Sequence, residues 1–112
     1  MTRKEALAEL IAKVEAGDIT KAPFWKVWIP EGQDGNLAYT AKQAASGSLD
    51  AANVLHEAVL CNIDPQFGYL VGPQYARIVH PSGTVCDAQS KTPARAWLLA
   101  ILRALHSMEP DP

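Results

Sequence analysis

The stretch that most limits what this chain can fold into is TPARAWLLAILRAL, residues 92–105, interrupted by only two charges, Arg95 and Arg103. Thr92 suits an N-cap. Pro93 suits the first helical position, where a missing N–H costs nothing and the fixed φ already fits. Leu98, Ile101, Leu102 and Leu105 recur at i, i+3, i+4 and i+7 and make one apolar stripe. Trp97, Ala100 and Ala104 make a second stripe beside it. A helix that is apolar on two sides needs two covers. Either it lies deep in a domain, or its second face, with Trp97 on it, meets another chain. The pattern predicts the first arrangement, with a sheet on one side and an amphipathic helix on another. The helix should stop near residues 107–109, before Pro110.

The remaining chain must supply those covers. At 112 residues it is one domain, with length for one core. It divides into an N-terminal helix (1–17), a strand and loop (23–47) and a helix–strands–helix core (48–106). In the first part Leu7, Leu10, Ile11 and Val14 form an apolar stripe. Arg3, Lys4, Glu5, Glu9, Lys13 and Glu15 form a solvated face. Thr2 with Glu5 fits a capping box, and Gly17 fits the C-terminus. Next comes PFWKVWIP, residues 23–30, whose aromatic and β-branched residues between two prolines predict an edge strand. Residues 37–40 read as a short strand, and 41–47 as a loop or a loose helical turn.

Ser48 is the N-cap for a helix over 49–61, with Asp50 in its first turn and Ala51, Val54, Leu55 and Ala58 on the buried face. Residues 67–71 and 75–80 read as strands joined by a tight connection at Gly72, Pro73 and Gln74. Residues 84–87 add a short third strand. The predicted fold class is α+β: three helices packed on a small, mainly antiparallel sheet of three to four strands.

GSLDAANVLHEAVL, followed by strands and ARAWLLAILRAL, resembles small uncharacterised phage and prophage proteins of the phage α-β-α sandwich domain family. Ser48, Leu49, Asp50, Ala51, Ala52, Leu55, Ala94, Arg95, Ala96, Leu98 and Leu99 carry the resemblance, which covers about residues 37–106. Cys61-Asn62-Ile63 departs from the Pro-Gly-aromatic continuation of that pattern. The resemblance implies a sandwich-like α-β-α fold and a phage origin, and brings no activity with it.

Composition narrows function by exclusion. A net charge of −2 and a pI near 5.8 offer no electrostatic case for nucleic acid or an anionic membrane. No apolar run reaches membrane-spanning length, and the charged start is not a signal peptide, so cytoplasmic residence is expected. Two cysteines there are expected to be free thiols. Neither GxxxxGK[ST] nor GxGxxG occurs, and no cofactor is expected.

The chemistry-bearing set is His56, Cys61, His80 and Cys86. Two His with two Cys is a zinc-type donor set, but H-x4-C and H-x5-C are not knuckle spacings. The plainer reading puts His56 on a helix surface, Cys61 at a helix end, His80 at a strand end and Cys86 half-buried. A Cys–His nucleophile would need an orienting partner, and none is evident in the sequence. Arg77 and Arg95 could hold an acidic ligand, although structural hydrogen bonding fits them better. Trp97, Trp25 and Trp28 are candidate interface residues; Phe24, Trp25 and Trp28 on one strand suggest a stacking platform for bases or sugars, although core aromatics on a two-sided strand fit better. The expected function is a non-enzymatic accessory module of phage or prophage origin that binds another protein or itself. The alternative is a small metal-binding or Cys/His-dependent enzyme or regulator.

Overall fold

Thr92 caps the last helix as the sequence requires, its Oγ1 accepting the Arg95 N–H at 3.1 Å. The structure is a computed structural model that describes residues 3–16, 36–61, 64–81, 83 and 85–108. In order these form α1 (Arg3–Ala16), α2 (Asn36–Ala45), α3 (Leu49–His56) running on into a π-turn (Glu57–Cys61), β1 (Gly68–Gly72), β2 (Tyr75–Val79), β3 (Val85–Gln89) and α4 (Pro93–Met108). The fold is α+β, with four helices among the described residues packed with a three-stranded antiparallel sheet. The strand expected at 23–30 lies outside the described residues, as do Trp25, Trp28, Thr2 and Gly17.

α4 is the middle layer. Ten of its sixteen residues are buried, including both stripes read from the sequence. The sheet covers one side of it, and α1, α2 and α3 cover the others. Leu98, Leu99, Ile101 and Leu102 are at most 1% exposed. Each contributes on the order of 2 kcal/mol by leaving water. Trp97 is 4% exposed within the single chain, so it is spent on the core and offers no contact surface. α1 brings Leu7, Leu10 and Val14 to the same core.

α2 replaces the short strand and loose turn expected over 37–47. Its tail, Lys42-Gln43-Ala44-Ala45, is made of strong helix formers. Ala44 and Ala45, at its C-terminal end, are fully buried, so backbones approach closely there. That leaves little periodicity to read. The helix closes through Gly47, whose φ of +115° favours glycine. The Arg95 Nε–H then donates to the orphan Ala45 carbonyl at 2.9 Å. Arg95 therefore serves the end of α2, not the turn before its own helix.

Ser48 caps α3, accepting the Ala51 N–H at 3.2 Å. The buried face is Ala51, Ala52, Leu55 and His56, with Val59 and Leu60 beyond. Val54, expected inside, is 51% exposed. The inward face is rotated by about one residue from the predicted one, and His56 takes the inner position.

β1 and β2 form a hairpin in register Gly72↔Tyr75, around Pro73 and Gln74. Pro73 has a fixed negative φ and Gln74 has no positive φ, so the turn is not of a primed type. Tyr69, Val71, Ala76, Ile78, Cys86 and Ala88 occupy the face toward α4. No helix among the described residues is long and apolar enough to cross a membrane.

Candidate functional site

The carbonyl of Phe67 is where the sequence-predicted residues come closest to one another. The π-turn at Glu57–Cys61 sets this up. Five residues apart on an α-helix, His56 and Cys61 would point in different directions. The wider turn brings both to the Phe67 oxygen, His56 Nε2 at 3.3 Å and Cys61 Sγ at 3.7 Å. The Trp97 Nε1–H donates to His56 Nδ1 at 3.4 Å. Because Nδ1 accepts, the proton of the neutral ring sits on Nε2 and is given to Phe67. Tyr69 closes the group, its ring 4.9 Å from that of His56 and 4.3 Å from that of Trp97. His56 is 1% exposed, not on a helix surface. Burial pushes its pKa below the ordinary imidazole value, against the Phe67 carbonyl and the Glu57 charge. The result is a neutral histidine joining α4 to the chain entering β1.

His80 forms a separate pair. Its Nε2–H donates to Asp64 Oδ2 at 2.7 Å, and the His80 ring lies 4.5 Å from that of Phe67. Asp64 Oδ1 accepts the Gln66 N–H at 2.9 Å. That bond and the His80 contact hold the Asp64 carboxyl below its usual range. Asp64 is the orienting carboxylate that no local spacing revealed. It sits 16 residues from His80 and meets it because β1 and β2 fold back on each other.

The thiols do not complete a nucleophilic site. Burial, then the charges of Glu57 and Asp64, push the Cys61 thiol up. Burial and Asp87 push up Cys86, against Arg103. A raised thiol pKa leaves little free thiolate to act as a nucleophile. Cys86 is half-buried, as expected, and pairs with Ile78 on the far side of β2 from Tyr69. Two strand spacings, roughly 10 Å, separate it from the His56 end. Among the described residues no three His, Cys, Asp or Glu side chains gather so as to hold a metal ion. The four-residue set is thus split into His56 with Cys61, His80 with Asp64, and Cys86.

The sheet's other face carries exposed aliphatic side chains that the sequence reading did not single out. Gly68, Val79 and Val85 form one cross-strand row on it, and Leu70, Arg77 and Asp87 the next. Leu70 is 61% exposed, Val85 56% and Val79 38%. Gly68 opposite Val79 carries no side chain to cover it. Arg77 Nη2 pairs with Asp87 Oδ2 at 3.3 Å in the centre. Alternation alone would have put these residues on a face opposite Ile78 and Ala76, but only the structure shows that the described elements leave it open. Comparison with known proteins returns no matching family model, no matching curated protein and no matching solved structure.

Proposed function

We propose that this chain is a non-enzymatic protein-binding module of phage or prophage origin, and that its partner is a second copy of itself. The phage attribution rests on the sequence resemblance. The self-association rests on one observation, the open sheet face with Leu70, Val79 and Val85 around the Arg77–Asp87 pair. A face holding both a cation and an anion is self-complementary under a two-fold rotation. One copy's Arg77 comes to the other's Asp87 while the aliphatic side chains meet. Three strands of five residues offer roughly 16 by 14 Å. That is about 230 Å² on each copy, well below the ~800 Å² per partner of a standard stable interface. The association is therefore weak and concentration-dependent.

Sedimentation equilibrium over a concentration series reaching about 1 mM tests it. The average mass should rise with concentration in the wild type and stay monomeric in Leu70→Glu. A wild type that remains monomeric throughout overturns the proposal. So does a Leu70→Glu variant that associates equally well.

A further inference from the structure

We propose that the cleft between α4 and the edge of β3 that pairs with no described strand binds a small anionic ligand bearing a carboxylate or a phosphate. The cleft has a volume of about 600 Å³ and is lined by Tyr75, Gln89, Ser90, Lys91 and Arg95 among others. That is the size of a small-molecule site.

The backbone of β3 presents donors to it. The Ser90 N–H donates to the Gln74 carbonyl at 3.1 Å, on the side of β2. Antiparallel pairing alternates, so residues 86, 88 and 90 face β2 while Asp87 and Gln89 point outward. Arg103 Nη1 agrees with this parity by donating to the Asp87 carbonyl at 2.6 Å. The N–H groups of Asp87 and Gln89 therefore face away from β2, where no described strand pairs with them.

The charges in the cleft do not cancel. Two carboxylates line it, and both are already neutralised. Glu15 Oε1 is held by Arg103 Nη2 at 2.6 Å, and Asp87 Oδ2 by Arg77 at 3.3 Å. Lys91 and Arg95 remain. Arg95 is anchored through Nε to the Ala45 carbonyl, which fixes the guanidinium while its two terminal nitrogens make no bond among the described residues. Lys91 Nζ makes none either. A fixed guanidinium fork, an ammonium and outward N–H groups suit a carboxylate or phosphate oxygen. Ser90 and Gln89 add neutral donors, and Tyr75 an aromatic wall.

The proposal does not rest on self-association, although Tyr75, Asp87 and Gln89 lie on the same sheet face, and its test keeps the two apart. The ¹⁵N-labelled full chain is titrated with inorganic phosphate, pyrophosphate and citrate at constant ionic strength, alongside the monomer-favouring Leu70→Glu. Two charge-assisted bonds in an open site correspond to a Kd of about 1 mM. The expected result is saturable amide shifts confined to Gln89, Ser90, Lys91 and their neighbours, in both chains. Stronger binding of the phosphates than of citrate, or the reverse, identifies the natural head group. Lys91→Glu, on an exposed side chain outside any helix or strand, should weaken binding about tenfold. Arg95→Gln should weaken it too, while Arg95→Lys keeps a charge and retains part of it. Shifts that stay linear without saturation, or a Lys91→Glu affinity equal to wild type, overturn the proposal.

Discussion

Lowering the pH from about 7.5 to about 5 should destabilise the protein through His56, and its surroundings set the size of the effect. The ring is 1% exposed. Nδ1 already accepts from Trp97 and Nε2 already donates to Phe67, so a second proton on the ring would face a donor. Burial holds its pKa below the ordinary value of 6.5. The unfolded chain takes up that proton near 6.5 while the folded chain does not. Between the two values the unfolded state carries the extra proton, so stability falls as pH falls. The loss starts around pH 6.5 and ends at the lower folded value. Its slope cannot exceed about 1.4 kcal/mol per pH unit for one proton. An unfolding entropy of about 2.1 cal/mol/K per residue gives roughly 0.24 kcal/mol/K for this length, hence at most about 6 °C per pH unit. Asp64 does not enter this window: its carboxyl lies below 3.8 when folded, so its stabilisation is lost only as pH falls through that lower value. Thermal unfolding followed by circular dichroism across this range, in wild type and His56→Phe, reads the effect. The variant leaves the Trp97 N–H unpaired and the Phe67 carbonyl with only the weak Cys61 thiol donor, and should be less stable at neutral pH by roughly 2–4 kcal/mol. Its melting temperature should also depend less on pH. A variant with the full wild-type slope would refute the assignment to His56.

Other consequences are as direct. Leu102→Ala, at a fully buried position in the middle layer, should cost about 2–5 kcal/mol in urea unfolding. Gly47→Ala should cost about 1–2 kcal/mol from the backbone alone, because φ is +115° while the nearest atom to the new Cβ, Thr92 Cγ2, is 3.9 Å away. Ser48→Ala removes the bond to the Ala51 N–H and should cost about 1 kcal/mol. Cys61 and Cys86, with thiols pushed up, should alkylate several-fold more slowly near pH 8 in the native protein than in urea. Equal native and denatured rates would contradict the burial assigned to them.

Much of the fold was legible because its signals are short-range. Thr92 and Ser48 cap the helices they precede. The two stripes of α4 and the single stripe of α1 are periodic over several turns and bury as read, with Ile11 of α1 only partly buried. Pro73 and Gln74 mark a hairpin whose strands start within a residue of the expected positions. α2 was missed because the buried residues at its C-terminal end, Ala44 and Ala45, are alanines, which pack by proximity and add no large apolar side chain to a pattern. The inner face of α3 was misread because Val54 was counted into it: Ala52, Leu55, His56, Val59 and Leu60 keep the helical spacing one residue round, with a histidine where an apolar residue was expected.

The helix at 92–105 and its need for two covers were determined by the sequence alone, since the i, i+3, i+4 recurrence depends only on neighbours within two turns. Tertiary structure decided what the covers are and what lies around them. The Trp97–His56 bond spans 41 residues, the Arg95–Ala45 bond 50 and the Arg103–Glu15 pair 88. Each forms only when α4 has been enclosed, because the energy that brings these partners together is the burial of Leu98, Ile101 and Leu102, not any attraction between the polar groups. The same enclosure fills one face of the sheet and turns the edge of β3 toward Lys91 and Arg95. Periodicity shows that a face exists; only the packed arrangement shows which face the described elements leave open.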